Sequence, residues 1–279
     1  MYRFLFTPRW LGLLALTLAA AVVMVMLGNW QLSRYQQRSA INDRIDAAEQ
    51  APPIPLTRVL PAAGDSPGSA GPPPATETEW TRVTATGRYD DGNVVLVRGR
   101  TPHGRVGFEV LTPLVLADGS AVLVDRGWVQ AAPGGAAAHP EIPAAPAGEV
   151  TVVGRLRLPE SQNTQVTRRD GRIETRRIGV PLLARELPYP VYGGYLLLNE
   201  QTPAADPAFS AIPIGYENNW QNAAYVVQWW LFALMLPILF GWLIRREAHG
   251  ARQNRPDGQP TSQPAVPAAE PAPVDNPGR

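Results

Sequence analysis

The chain has 279 residues, with 25 basic and 24 acidic side chains, no cysteine and a formal net charge of +1. Without cysteine there are no disulfides, iron–sulfur clusters or thiolate zinc sites, and the near-neutral charge gives no electrostatic footprint for nucleic acid. Every basic side chain is arginine, which excludes Schiff-base chemistry at lysine. In chain order, Arg3 and Arg9 precede an uncharged run from Trp10 to Leu27, "WLGLLALTLAAAVVMVML". As a helix this run rises about 27 Å and covers a hydrocarbon core. A secretory signal peptide is the competing reading, from the basic n-region and the small residues of "LAAA". The apolar run continues through Val22 to Leu27, past any cleavage site there, so a membrane helix over residues 10–29 is expected.

No helix breaker follows from Asn29 to Gln50, and the helix is expected to continue out of the membrane. Residues 52–78 are rich in proline and glycine and predict a long irregular connection on the domain surface. Strand signals begin at Trp80. In "WTRVTATGRY", Val83, Ala85, Gly87 and Tyr89 alternate with Thr84, Thr86 and Arg88, the pattern of a half-buried strand. An Asp-Asp-Gly turn leads to "NVVLVRGR" and predicts a hairpin. "GFEVLTPLVL" and "SAVLVDRGWVQ", joined by "ADG", predict a second hairpin of central strands, since both runs are nearly continuously apolar. "EVTVVGRLRL" sets Val150, Val152, Gly154, Leu156 and Leu158 on one face, and "GYLLLNEQ" predicts the last strand. Between these two lies an arginine-rich stretch, including Arg168 to Arg177, with a short helix expected over Val180 to Glu186.

A second apolar run, Ala223 to Ile244, has Gln228 as its only strongly polar member and reaches about 33 Å as a helix. The remainder, residues 245–279, becomes proline-rich without aromatic residues and predicts a disordered tail. Arg3 and Arg9 before the first span, and Arg245, Arg246, Arg252 and Arg255 after the second, place both termini in the cytoplasm of a plasma membrane. Residues 30–222 are then exported. The expected fold is a membrane-anchored α+β protein: N- and C-terminal transmembrane helices flanking a β-rich antiparallel domain of the barrel or sandwich kind.

Two polar constellations stand at the outer ends of the spans. Gln31, Arg34 and Arg38 fall within about 60° on one helical face beside Trp30, and Asn222, Tyr225 and Trp229 do the same on the second helix. The first offers guanidinium groups and a flat ring to an anion, or anchors the helix at the headgroups. The second, with Gln221 and Gln228 on an adjacent stripe, faces either a ligand or another helix, because an amide turned to lipid loses its hydrogen bonds. Asp125 and Arg126, between apolar strands, read either as an acid and clamp or as a structural ion pair. His103, His139 and His249 lie in separate segments, and there is no HExxH, GxSxG or glycine-rich phosphate loop. No enzymatic activity and no metal site are expected.

Three stretches together resemble the Surfeit locus protein 1 family: "LGNWQLSRYQQR"; "VGFEVLTPLVLADGSAVLVDRGWV"; and the Tyr-x-x-x-Trp-Trp from Tyr225 to Trp230. Their order and the two-span layout carry the resemblance from about Leu11 to Ile244. It implies an assembly factor for haem-copper cytochrome c oxidase that assists insertion of haem a into subunit I or its maturation. The implied partners are subunit I, haem a synthase and membrane lipid. The implied contact residues for haem a or subunit I are Trp30, Gln31, Arg34, Arg38, Asn222, Tyr225 and Trp229, with haem a bound transiently. Asn222 stands where haem-binding bacterial members carry a histidine, and an amide is not an axial iron ligand. Arg38 replaces the family's lysine. The alternative is a permanent accessory subunit of the respiratory complex that binds no haem.

Overall fold

A computed structural model of the chain describes residues 3–135, 138–161 and 163–253. The chain divides into two units, one formed by the segments up to Arg34 and from Trp220 onward, the other by Tyr35–Asn219. The first contains most of the apolar length of two helices, α1 (Pro8–Gln50) and the last helix of the chain (Trp220–Gln253). Each has a window apolar enough to cross a bilayer, and the protein itself buries 6% of the first window and 0% of the second. Core helices of a water-soluble protein would be covered; these keep their apolar side chains outward, as lipid requires. The last helix runs on through Gln253, so residues 245–253, expected as the start of a disordered tail, are helical and extend it beyond the apolar run. The rest of that expected tail, residues 254–279, lies outside the described residues.

Within the second unit the chain forms β1 (Ile54–Pro55), α2 (Leu56–Val59), β2 (Arg82–Tyr89), β3 (Val95–Arg100), β4 (Gly107–Leu116), β5 (Ala121–Gln130) and β6 (Val150–Arg157). β7 (Thr167–Arg169), β8 (Arg172–Thr175), α3 (Val180–Ala184) and β9 (Val191–Thr202) follow, leaving the last span as α4. The strand order is β1-β2-β6-β9-β5-β4-β3-β8-β7, and β2 also pairs with β4. That extra pairing closes β2, β6, β9, β5 and β4 into a five-stranded barrel, with β3, β8 and β7 continuing from it. Closure removes the exposed edges that an open sheet would present.

The sheet is mixed, which corrects the antiparallel expectation: β1–β2, β3–β8 and β5–β9 are parallel. The expected hairpin of β2 and β3 does not form. The Asp90 carboxylate accepts from Gly92 N and from Asn93 Nδ2, both at 2.9 Å, and holds a tight turn that sends β3 away from β2. Both strands instead use the ten-residue β4. β3 pairs with Gly107 to Leu111, β2 pairs with Leu114 to Leu116, and Pro113 stands where the partner changes. A proline has no N–H to offer a ladder, so this changeover is where a central strand tolerates one. Gly87 makes the closure possible, since a Cβ there would lie 2.3 Å from the Val115 carbonyl oxygen.

Two apolar clusters flank the central strands. Ala121 and Leu123 of β5 join Val95, Leu111, Ile173 and Leu183 on one side. Val122 and Val124 join Val83, Leu114, Val152 and Leu196 on the other. Burial on both faces accounts for the unbroken apolar run read in β5. The proline-rich connection is more than a surface loop: Leu56 and Leu60 enter the second cluster, and Gly71 N donates to Val191 O at 2.8 Å. Residues 35–50 of α1 also belong to this unit, with Ile45 1% exposed and Arg44 Nη1 donating to Thr76 O at 2.8 Å.

Candidate functional site

In the helical unit, α1 and α4 run antiparallel and touch at three levels. Trp10 meets Phe240 edge-on with ring centroids 6.0 Å apart. Gly28 lies against the Trp230 indole, 2.5 Å from where its Cβ would be. Near the outer end, Asn222 Nδ2 donates to Gln31 Oε1 at 2.8 Å. This bond joins one residue from each polar stripe and gives each amide a partner across the helix pair. Trp30, 54% exposed, has the Arg34 guanidinium 5.9 Å from its ring centroid. Tyr225 is 40% exposed, and its hydroxyl has no hydrogen-bond partner among the described residues. Trp229 packs edge-on to Phe232 at 6.1 Å on its own helix.

Arg38 belongs to the other unit. Its Nη1 donates to Asn218 O at 2.8 Å and its Nε lies 3.6 Å from the Glu217 carboxylate. Of the seven expected contact residues, the structure therefore links Gln31 with Asn222 and Trp30 with Arg34. Arg38 already has a carboxylate partner. The set offers no imidazole to haem iron: no histidine stands on the outer turns of either span, and Asn222, whose nitrogen donates to Gln31, has only an amide in that place. Exposed indole and phenol surfaces and the Arg34 charge remain to contact a flat or anionic partner.

A second site lies inside the β-domain, in the stretch "VLVDRGWV". Asp125 and Arg126, adjacent on β5, point to opposite faces and do not pair with each other. Arg126, 4% exposed, lies 4.6 Å from the Phe209 ring centroid and 5.3 Å from that of Tyr89. Its guanidinium donates to the Pro143 and Ala144 carbonyls at 3.3 and 3.1 Å. Burial lowers its pKa, against the pull of Tyr89 and Asp91. The residue ties the segment after β5 to the barrel wall.

Asp125 faces the other way, 2% exposed, into a cavity of about 250 Å³ that is also lined by Trp80, Glu109, Arg157, Glu160 and Tyr195. One carboxyl oxygen accepts from Gly127 N at 3.2 Å. Burial, with Glu109 adding its charge, holds the Asp125 pKa well above the usual carboxylate range. Arg100 bridges Glu109 at 2.8 Å and Glu160 at 2.6 Å. Burial also raises Glu109, and there it outweighs the attraction of Arg100; at Arg100 the order reverses, and its two carboxylates outweigh burial and raise its pKa. Trp80 completes the wall with a left-handed backbone, φ 76°, a conformation costing about 1–3 kcal/mol in a bulky residue. Its N–H donates to Leu156 O at 2.8 Å, and Arg157 stacks 3.7 Å from its ring centroid. The arrangement sets the buried Asp125 carboxyl, its pKa raised, beside the Arg100–Glu109–Glu160 ion-pair network. Among the described residues, no group of three or more histidine, aspartate or glutamate side chains is placed to hold a metal.

Sequence reasoning named Asp125 but not Glu109, Glu160 or Trp80, because only the barrel brings β4, β5, β6 and β9 to one cavity. His139 contacts Glu174 and lies 3.6 Å from Asp170, fastening the segment after β5 to β8.

Comparison with known proteins places these observations. The SURF1 family model matches residues 18–234, from within the first span to within the second. An uncharacterised SURF1-like protein of Mycobacterium tuberculosis is 31% identical over 265 residues, which is 94% of this chain and 93% of that protein. The corresponding Mycobacterium bovis protein matches equally well. Surfeit locus protein 1 of Takifugu rubripes is 28% identical over 162 residues, covering 52% of this chain and 61% of its own length. With a family match across most of its length and a relative similar nearly end to end, the chain belongs to the SURF1 family.

Proposed function

We propose that this protein is a non-enzymatic assembly factor of haem-copper cytochrome c oxidase, assisting maturation of subunit I at the stage of haem a insertion. Family membership, which implies a role in cytochrome c oxidase assembly, is the observation that carries the reading. The two helices anchor it in the plasma membrane with both termini in the cytoplasm and the barrel exported. Subunit I is the partner, met by the exposed faces of Trp30 and Tyr225 and by the charge of Arg34, with haem a synthase as the upstream neighbour. Contact with haem a is made by flat rings and guanidinium, with no imidazole at the outer helix ends to ligate the iron.

The experiment measures a-type absorbance per subunit I in native membranes with and without the protein. The expected result is subunit I accumulating with deficient a-type absorbance when the protein is missing, and recovery when it is restored. Normal a-type absorbance in its absence would overturn the proposal. The Gln31–Asn222 bond supports a second reading, an accessory subunit whose polar stripes only join its own helices. Stoichiometric co-purification with mature, fully haem-loaded oxidase would favour that reading; co-purification with immature subunit I favours the first.

A further inference from the structure

The arginine-rich stretch after β6 is not scattered over the surface. Arg176 and Arg177 line, with Arg98, Asn163, Thr164 and Gln165, a concavity of about 450 Å³. β3 and β8 are parallel and align Val97 with Thr175, so the residues that follow, Arg98 on β3 and Arg176 just past β8, come together at the end of the ladder. The loop that follows is fixed. Thr175 Oγ1 donates to Arg177 O at 2.8 Å, Arg177 N donates back to that hydroxyl at 3.3 Å, and Gly179 N donates to Arg177 O at 3.0 Å. Thr175 is 1% exposed and its hydroxyl also lies 3.1 Å from that of Thr164, which locks the opposite wall to the same anchor.

The lining chemistry is one-sided. Three of the six are arginines, the amides of Asn163 and Gln165 can donate as well, and none is a carboxylate. Several neighbouring arginines have ion-pair or carbonyl partners: Arg100 with Glu109, Arg168 with Glu186, Arg172 with Pro140 O. Among the described residues, the side chains of Arg98, Arg176 and Arg177 form no ion pair and no hydrogen bond. Arg98 Nε is shut off from solvent and still lacks an acceptor. A shielded donor without an acceptor is costly, and three like charges gathered without a counter-charge add repulsion. Both costs vanish when an acceptor-only, negatively charged group fills the space, and guanidinium forks match phosphate and carboxylate oxygens two at a time.

We infer that this concavity is a binding site for a phosphate-type oxyanion, held by Arg98, Arg176 and Arg177, with a lipid headgroup or a soluble phosphate compound as its source. The test is calorimetric titration of the full chain in neutral detergent with inorganic pyrophosphate. The expected result is saturable one-to-one binding. Arg176→Gln with Arg177→Gln, both on an exposed loop, should weaken it about tenfold or more, while Arg168→Gln, outside the pocket and paired with Glu186, leaves it unchanged. Arg98→Lys, which keeps the charge and loses the fork, should fall between. No binding by the wild type, or equal weakening by Arg168→Gln, would overturn the inference. Native mass spectrometry of the protein extracted from its membrane separates the sources. Anionic phospholipid carried by the wild type and lost from the Arg176→Gln, Arg177→Gln variant assigns the site to a headgroup. Equal lipid in both, with pyrophosphate binding lost only in the variant, assigns it to a soluble anion.

Discussion

The contact between Gly28 and Trp230 is a direct test of how the two spans pack. A Cβ on Gly28 would sit 2.5 Å from Cδ1 and from Nε1 of the Trp230 indole. Restoring ordinary contact would move ring against helix by about 0.9 Å, and overpacking of this kind costs ~1–3 kcal/mol. Alanine also recovers ~1 kcal/mol of helix propensity relative to glycine, so Gly28→Ala should destabilise by a net ~0–2 kcal/mol. Gly12 supplies the internal control: it lies on the same helix, and a Cβ there would meet nothing within 4 Å. Gly12→Ala carries the propensity gain alone, and the difference between the two variants isolates the steric cost at ~1–3 kcal/mol. The assay is reversible unfolding of the full chain in mixed detergent micelles titrated with a denaturing detergent, followed by loss of helical circular dichroism. Adding Trp230→Ala removes the obstructing ring, so the Gly28→Ala penalty should disappear in that background. Equal shifts from Gly28→Ala and Gly12→Ala, within ~0.5 kcal/mol, would refute the packing argument.

Three further outcomes are expected. The Gln31–Asn222 bond should show a coupling of ~0.6–1.7 kcal/mol in a double-mutant cycle with alanine, read by the same unfolding titration; strictly additive single effects would mean the two amides do not bond in the membrane protein. Asp125→Asn should change how stability depends on pH. A carboxyl with a raised pKa in the fold contributes most below its unfolded pKa of about 3.9, and that contribution falls as pH rises toward the folded value. Asparagine keeps the acceptor for Gly127 N and does not titrate, so the variant should gain on the wild type as pH rises from about 4; denaturant titrations at pH 4.5 and 8 showing the same difference would contradict this. Leu123→Ala, at a fully buried position of β5, should cost ~2–5 kcal/mol of barrel stability, and a loss below 1 kcal/mol in denaturant titration would show that the cluster collapses around the gap.

What the sequence made legible followed from local pattern. The spans, the continuation of α1 to Gln50, the β4–β5 hairpin and the faces of β2 and β6 all rest on periodicity or on a short turn, and each is found. The misses are long-range. Nothing within β2 or β3 says that both will take β4 as partner, or that Leu56 and Leu60 will leave a proline-rich segment for the core. The β7–β8 hairpin had a local signal, Asp170-Gly171 with both residues at positive φ, set among arginines that drew the reading toward charge. At the helix ends, spacing grouped the polar residues but could not tell a ligand wall from a helix contact, and the structure joins two of them, Gln31 and Asn222, across the helices.

The stretches that carry the family resemblance divide by what their polar groups are already doing. Gly28, Gln31 and Asn222 join the two spans, and Arg126 holds the segment after β5, so these residues are explained by the fold. Arg38 is drawn to Glu217 and Asn218. Groups that the fold leaves unspent are the ones available to partners: the exposed rings of Trp30 and Tyr225, the carboxyl of Asp125 in its cavity, and the guanidinium groups of Arg98, Arg176 and Arg177. Asn222 makes the distinction sharpest. An imidazole at that position could turn a nitrogen lone pair to iron, whereas the Asn222 amide nitrogen has none to give and donates instead to Gln31 on the neighbouring helix. In this protein the outer end of the helix pair is joined by that bond, and the exposed side chains beside it, Trp30, Arg34 and Tyr225, are the ones left free to meet a partner.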